Sequence, residues 1–315
     1  MLNKTYIQHI GIYNNNNIYV KRDDLLPFSF GGNKVRIAYE YIKDLKKKNN
    51  NCLIGYGNAK SNLCRVLANL CKQYNLPCYI VSPSNDDGSR EKTNNSSIVK
   101  ACGAEIVECS KNNVADTILS IIKECERNGM NAYYINGDIY GKGNEAVPVE
   151  AYVKVYSEIL EQSLSMTIGF DYIFTATGTG MTQSGLIAGK QIYGGKPEII
   201  GISVARQAEK EKEVISQFLR AYYEKKGVHI KTKDDIIVID DYICGGYGKY
   251  NNEIIEVIKG MMLHTGIPLD TTYTGKAFYG MIEHLKKNNI RDKNILFIHT
   301  GGTPLFFDNI DKIMS

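Results

Sequence analysis

Two hydrophobic periods alternate along this chain, and their alternation limits the fold more than any other feature. From Cys52 onward, short apolar runs are separated by segments in which apolar residues recur at every third or fourth position. The first kind of run is typical of buried strands and the second of amphipathic helices. The run Cys52–Tyr56, for example, precedes a segment with Leu63, Leu67 and Leu70 on one helical face. Strands separated by helices predict an α/β fold with parallel sheets flanked by helices.

The same pattern continues along the chain and leads to a prediction of its domains. Helices are predicted at 144–164 and 182–193, and a length of 315 residues exceeds one ordinary domain. We therefore expect two domains, a small one at 45–145 and a large one formed by 1–44 and 146–315. Besides 52–56, strands are predicted at 18–23, 78–82, 104–108, 132–136, 172–177, 198–203, 235–239 and 294–300.

The composition excludes several classes of protein. Apolar residues make up 43% of the chain and charged residues 23%, which is ordinary for a globular protein. The net charge of +4 comes from lysines scattered among acidic residues, so we expect no nucleic-acid partner. No apolar run approaches the roughly 20 residues that span a bilayer, and the first residues do not have the pattern of a signal peptide. We expect a soluble, cytoplasmic protein with no membrane partner.

The cysteines form no metal-binding or disulfide motif. They include no C-x-x-C pair and have no histidine at ligand spacing, and a chain of this length can bury a core without disulfides. We therefore expect reduced, mostly buried thiols and no metal site. The eight residues are Cys52, Cys64, Cys71, Cys78, Cys102, Cys109, Cys125 and Cys244.

A glycine-rich turn follows the predicted strand 172–177. The residues Gly178-Thr-Gly-Met-Thr182 lead directly into a helical pattern, so backbone N–H groups converge there with the positive end of a helix dipole, and both attract an anion. The hydroxyls of Thr179 and Thr182 are additional donors. The spacing matches neither the G-x-G-x-x-G dinucleotide fingerprint nor the P-loop. The turn therefore predicts a phosphate site, and a tight turn that binds nothing is the alternative.

Lys34 lies in the first turn of another predicted helix. It follows Gly31-Gly-Asn33, and the apolar residues after it have helical spacing. A helix dipole disfavours a cation at this end by about 0.3–1 kcal/mol, and the glycines let other backbone approach closely. Both features suit a lysine that is kept as a neutral amine or imine. An exposed lysine at an ordinary helix start is the alternative.

Several short motifs together resemble one enzyme family. In chain order and across nearly the whole chain they are similar to the D-cysteine desulfhydrase and 1-aminocyclopropane-1-carboxylate deaminase family. Those enzymes depend on pyridoxal phosphate and have the fold of the tryptophan synthase β subunit, called fold type II. The resemblance implies this two-domain α/β fold and pyridoxal 5'-phosphate as the cofactor. The motifs are Lys21-Arg-Asp-Asp24, Gly31-Gly-Asn-Lys34, Ser61-Asn62, the Gly178 turn, Tyr273-Thr-Gly-Lys276 and His299-Thr-Gly-Gly302.

The resemblance also implies roles for individual residues. Lys34 would hold the cofactor as a Schiff base and move the Cα proton of the substrate, while Ser61 and Asn62 match positions that meet the substrate carboxylate and the cofactor ring. Tyr247 and Tyr273 match tyrosines that act as acid or base. The alternatives are a helix N-cap for Ser61 and ordinary side chains for the two tyrosines. The predicted catalytic residues are Lys34, Ser61, Tyr247 and Tyr273, and the predicted cofactor-binding residues are Lys34, Asn62, Gly178, Thr179, Gly180, Met181, Thr182 and Thr300.

Some positions bear on the type of reaction. Thr300 falls where the family places a hydroxyl near the pyridine nitrogen, and a hydroxyl does not enforce protonation of that nitrogen, which favours elimination of a β-substituent. The ring-opening deaminases carry glutamate where this chain has Thr274. Lys60 and Leu63 replace polar residues beside the Ser-Asn pair and suggest a substrate with an extra acidic group. Met181 replaces a glycine and would be strained at positive φ.

These residues predict β-elimination from a small amino acid, such as D-cysteine, to a 2-oxo acid and ammonia. The alternatives are β-replacement or racemisation in a biosynthetic pathway, which Lys60 and Leu63 favour, and opening of a cyclopropane ring. A silent cofactor-binding or metabolite-binding protein is the non-enzymatic alternative. A homodimer is expected because relatives usually pair in this way.

Overall fold

The computed structural model describes residues 3–58, 60–83, 92–228 and 236–315, which form ten strands and eleven α-helices. The strands are β1 Ile7–Tyr13, β2 Asn16–Lys21, β3 Cys52–Tyr56, β4 Cys78–Pro83, β5 Glu105–Cys109, β6 Ala132–Tyr134, β7 Tyr172–Thr177, β8 Glu198–Ser203, β9 Ile237–Ile239 and β10 Asn294–Ile298. The helices are α1 Asn33–Lys47, α2 Asn62–Gln73, α3 Asn94–Ala101, α4 Val114–Arg127, α5 Ala146–Met166, α6 Met181–Tyr193, α7 Ala208–Lys226, α8 Asn252–Thr265, α9 Thr274–Lys287, α10 Thr303–Phe307 and α11 Ile310–Met314.

The chain divides into two compact units. Unit 1 comprises Met1–Asn33 and Pro148–Ser315, and unit 2 comprises Lys34–Val147. The predicted domain limits, 45–145 for the small domain and 1–44 with 146–315 for the large one, stay a prediction.

The sheet of unit 1 has six strands in the order β1-β2-β10-β7-β8-β9. All neighbours pair in parallel except β1, which pairs with β2 in antiparallel fashion. The pattern of alternating strands and helices did not predict β1. Asn14 and Asn15 join the two strands and both have positive φ, 49° and 58°, as the inner residues of a type I′ hairpin turn do. The asparagine-rich turn was therefore the feature of the sequence that could have indicated this edge strand.

Helices cover both faces of this sheet. Phe174 of β7 and Ile202 of β8 belong to a buried cluster with residues of α8 and α9, such as Ile258. Because side chains alternate along a strand, Gly201 faces the opposite side, where a Cβ on it would lie 2.5 Å from the amide carbon of Gln183 in α6. The predicted α/β fold with parallel sheets flanked by helices is confirmed.

Unit 2 has a four-stranded sheet in the order β5-β4-β3-β6, with all pairs parallel. Helices α2 and α4 contact it. Leu53 of β3 and Leu67 of α2 are completely buried, as their hydrophobic period predicts.

The first and last residues of the predicted strands and helices lie within two positions of the observed ones, wherever the structure describes that end. The predicted strand 235–239 begins at Asp235, which lies outside the described residues. The predicted strand 294–300 ends at Ile298 instead, since Gly301 and Gly302 adopt positive φ, 94° and 102°, and turn the chain away.

All eight cysteines are free thiols, and five of them are buried. In the described part of the chain, no group of three or more His, Cys, Asp or Glu side chains is arranged to hold a metal ion. Among the same residues, no helix is both long and apolar enough to cross a membrane.

Candidate active site

The glycine turn of unit 1 has the geometry of an anion site. Gly180 is the N-cap of α6, has φ 77° and makes no side-chain capping bond. The first intrahelical hydrogen bond of α6 runs from Ser184 N to Gly180 O, 2.9 Å. The N–H groups of residues 181–183 therefore have no acceptor within the helix. Together with the helix dipole they form a site that suits a phosphate.

Small residues are required in this turn because neighbours lie close to it. A Cβ on Gly180 would lie 3.1 Å from Ile215 Cγ1, and one on Gly178 would lie 2.9 Å from Val204 Cγ2. Met181, in contrast, is the first residue of α6 and is not among the residues with positive φ. The strain considered for Met181 does not arise, because Gly180 carries the left-handed conformation.

A charge pair between a partly exposed arginine and a buried glutamate supports the turn. Arg206 donates a hydrogen bond to the carbonyl of Gly178 and another to Glu211, 2.9 Å from it. Glu211 is completely buried and also accepts a hydrogen bond from Thr177 Oγ1 at 2.8 Å. Neither residue is among the site residues predicted from the sequence. Arg206 follows the carboxyl end of β8, where ligand sites of parallel sheets lie, and that position could have indicated it.

The loop before α1 is held in an unusual conformation. Four consecutive residues, Ser29 to Gly32, have positive φ of 45°, 58°, 63° and 96°, a rare conformation for the two that are not glycine. A Cβ on Gly31 would lie 2.5 Å from the carbonyl carbon of Asp24, and one on Gly32 would lie 2.6 Å from the carbonyl oxygen of Thr300. Both glycines are therefore required where this backbone packs against two other segments.

Asn33 connects this loop to two of the predicted cofactor-binding residues. Its side-chain Nδ2 donates to Thr182 Oγ1 at 2.8 Å, and its backbone N donates to the carbonyl of Thr300 at 3.1 Å. Thr300 itself is buried. Asn33, which immediately precedes Lys34 in the sequence, is thus fixed to the glycine turn. Lys34 belongs to unit 2, where it is a half-buried residue of the first turn of α1.

Tyr247 and Tyr273 form a hydrogen-bonded pair in unit 1. Their hydroxyl oxygens are 2.5 Å apart, and their rings meet edge to face with centroids 5.8 Å apart. Tyr247 is 37% exposed, so one ring of the pair is open to a ligand. The structure therefore brings together two residues that are 26 positions apart in the sequence.

Asp270 fixes the backbone that carries Tyr273. Its carboxylate accepts hydrogen bonds from the backbone N of Thr272, Tyr273 and Thr274, at 2.8, 2.7 and 3.1 Å, and from the Thr274 hydroxyl at 2.8 Å. Burial raises the pKa of Asp270, and these hydrogen bonds offset part of that rise. Asp270 is not among the site residues predicted from the sequence, because its role is visible only once the turn before α9 is formed.

Ser61 and Asn62 lie at the start of α2 in unit 2. Ser61 is the N-cap, and its Oγ accepts a hydrogen bond from Cys64 N at 3.2 Å. Ser61 therefore acts as a helix N-cap, which was the alternative to a substrate-binding role. Because the cap uses the hydroxyl oxygen as an acceptor, the hydroxyl proton can still be donated to a ligand. Asn62 is buried, and its Oδ1 accepts hydrogen bonds from Arg65 and Asn95 at 3.1 and 2.9 Å. Burial lowers the pKa of Arg65 to about 10.

The chain also matches a family model described as "Pyridoxal-phosphate dependent enzyme" over residues 6–301. It therefore belongs to this family, and it is an enzyme that uses pyridoxal phosphate.

Two curated relatives and one solved structure are similar to nearly the whole chain. A Pyrococcus furiosus protein named "Putative 1-aminocyclopropane-1-carboxylate deaminase" is 33% identical, covering 98% of this chain and 92% of its own. A "D-cysteine desulfhydrase" of Yersinia enterocolitica is 30% identical, covering 96% and 91%. The crystal structure of an "ACC deaminase homologue" has a TM-score of 0.85 at 29% identity, covering 99% and 93%.

These similarities confirm the resemblance found in the sequence and the type II fold. A hydrogen sulfide-producing enzyme from Fusobacterium nucleatum, at 20% identity and a TM-score of 0.66, shares the fold. The roles of individual site residues stay predictions.

Proposed function

We propose that this enzyme eliminates a β-substituent from a small amino acid and that water hydrolyses the product to a 2-oxo acid and ammonia. The observation that carries the proposal is the hydrogen-bonded pair Tyr247–Tyr273 in the same unit as the glycine turn at Gly178. The name of the Yersinia relative, D-cysteine desulfhydrase, supports the reaction type. A small amino acid with a leaving group on Cβ, D-cysteine among them, is the proposed substrate class.

The residues of unit 1 fit the cofactor. The free N–H groups at residues 181–183 and the hydroxyls of Thr179 and Thr182 suit its phosphate, and Thr300 suits the ring nitrogen. When bound, pyridoxal phosphate supplies an electron sink for the negative charge that develops at the substrate Cα. We propose that Lys34 binds it covalently, and Asn33 supports this, since its side chain is bonded to Thr182 at 2.8 Å.

The remaining steps follow from the chemistry of the side chains. Exchange of the Lys34 amine for the substrate amine on the bound cofactor would release Lys34, whose amine would then remove the proton from the substrate Cα. The start of α2 at Ser61 and Asn62 binds the substrate carboxylate through its N–H groups. The two tyrosine hydroxyls share one hydrogen bond, and a tyrosine hydroxyl of this pair is the acid that protonates the leaving β-substituent. This proton makes a thiolate or similar group a better leaving group.

A screen of D- and L-amino acids for 2-oxo acid release tests this proposal. We expect release from a substrate with a β-leaving group, and a loss of about 10²-fold or more in kcat for Tyr273→Phe and Tyr247→Phe, in line with general acid catalysis. Tyr279→Phe is the matched control, because Tyr279 forms a similar edge-to-face pair with Tyr242, centroids 5.5 Å apart. Full activity in both site variants would refute the role of the pair.

Replacement of the β-substituent is the second candidate, and one observation favours it. Asn95 Nδ2 bonds both the carbonyl of Lys60 and Asn62 Oδ1, at 3.0 and 2.9 Å, so the backbone of Lys60 is held beside the predicted ligand-binding asparagine. A lysine beside Asn62 suits a substrate that carries an extra acidic group. Product analysis with and without an added thiol separates the two, since replacement gives a new amino acid and elimination gives ammonia.

We also propose that the enzyme is a cytoplasmic homodimer with two domains. Light scattering of the purified protein tests the dimer.

A further inference from the structure

Lys276 is a completely buried lysine for which the proposed reaction has no direct use. It lies in the first turn of α9, three residues after Tyr273. Its ammonium donates hydrogen bonds to three backbone carbonyls, those of Val204, Ile243 and Gly246, at 3.0, 2.7 and 2.8 Å. A protonated lysine has three N–H donors, so each donor has one carbonyl acceptor.

Two of these carbonyls belong to the loop that carries Tyr247. Gly246 directly precedes Tyr247, and Gly245, Gly246 and Gly248 all have positive φ, 83°, 131° and 72°. A segment with three such glycines has little conformational preference of its own. The ammonium of Lys276 therefore supplies a fixed point for a loop that glycine would otherwise leave free.

The third carbonyl links Lys276 to the glycine turn. Val204 accepts a hydrogen bond from Lys276 through its carbonyl, and its side chain lies where a Cβ on Gly178 would be 2.9 Å away. One side chain thus joins the helix that follows Tyr273, the loop that carries Tyr247 and the segment beside the phosphate-binding turn.

We infer that Lys276 is a positioning residue that holds Tyr247 against Tyr273 while protonated and releases it when neutral. A neutral amine has only two N–H donors, and its lone pair would face the third carbonyl. Loss of the proton therefore breaks one of the three bonds and loosens the loop. The inference rests on the proposed function, because it concerns the tyrosine pair of that site.

The protonation state changes in an accessible pH range. Burial lowers the pKa of Lys276 to about 8, and Cys244 and Asp270 offset part of that effect. These two are the ionisable groups that act on Lys276 in the described residues. Burial raises the pKa of the Cys244 thiol above its ordinary value, while Lys276 lowers it and Glu253 raises it, so a Cys244→Ser variant is needed to separate the titration of Lys276 from that of the thiol.

Tyrosine labelled with ¹³C at Cζ gives a readout that does not depend on turnover. The Tyr247 resonance of the holoenzyme, assigned by its disappearance in Tyr247→Phe, should shift between pH 7 and 9 with a midpoint near 8. The shift should persist in Cys244→Ser and be absent in Lys276→Met. A wild-type resonance that does not move between pH 7 and 9 would overturn the inference, even if Lys276→Met does not fold.

Kinetics then test whether Lys276 acts through Tyr247. The wild-type kcat should fall above pH 8, and Lys276→Met should lower kcat at least tenfold and lack that alkaline limb. Lys276→Met added to Tyr247→Phe should lower kcat no further than Tyr247→Phe alone. Independent, multiplying losses would overturn the inference. If the wild type releases no oxo acid from any amino acid, the proposed function fails while the tyrosine titration still decides the role of Lys276.

Discussion

The loop before Lys34 offers a sharp test of the site geometry through the substitution Gly31→Ala. Gly31 has φ 63°, and a Cβ on it would lie 2.5 Å from the carbonyl carbon of Asp24. The left-handed conformation costs a residue with a Cβ about 1–2 kcal/mol. Forcing a methyl group against packed backbone costs a further 1–3 kcal/mol or so. We therefore expect Gly31→Ala to lower the free energy of unfolding by about 2–5 kcal/mol.

Gly266→Ala is the matched control for this substitution. Gly266 has φ 70°, and no described atom lies within 4 Å of the place where its Cβ would be. Both substitutions lower the conformational entropy of the unfolded chain equally, so this effect cancels when the two variants are compared. Without a steric clash, Gly266→Ala should cost only the conformational term of about 1–2 kcal/mol. Urea denaturation of both variants measures the difference. Equal losses of stability would show that Gly31 is not packed against Asp24 and would refute this account of the loop.

Three further predictions concern single side chains. Arg206→Ala should weaken binding of pyridoxal phosphate about tenfold, because the Gly178 carbonyl loses a charged donor; fluorescence titration measures this, and unchanged affinity would exclude Arg206 from supporting the turn. Ser61→Ala should lower the free energy of unfolding by about 0.5–2 kcal/mol through loss of the N-cap, and no loss in urea denaturation would contradict the bond to Cys64. Burial raises the pKa of Cys64 to about 11, so the native state keeps a proton that the unfolded state loses, and stability should fall as the pH rises from about 9 to 11. Replacing Cys64 with Ala should reduce that fall, and an identical pH profile of unfolding would contradict it.

Local pattern was sufficient to predict most of the fold. Strands β3, β7 and β8 have the predicted bounds, because an apolar run followed by a helical period leaves few alternatives. The edge strand β1 was missed, since it is held by a hairpin turn and pairing with β2 and has no helix on either side in sequence.

The candidate site was predicted in part for the same physical reason. The glycine turn at Gly178 and the Lys34 motif are local and visible in the sequence. The supporting residues Arg206, Asp270 and Lys276 act through carbonyls or amides that the fold brings to them from other segments. A lysine or aspartate that will be buried has no distinguishing sequence pattern, so these contacts required the structure.

The most direct test of the proposed site is to identify the lysine that binds the cofactor. The holoenzyme should be reduced with borohydride, digested and mapped by mass spectrometry. We expect a pyridoxyl-phosphate label on Lys34. A label on another lysine, or none on a protein that has bound the cofactor, would contradict it.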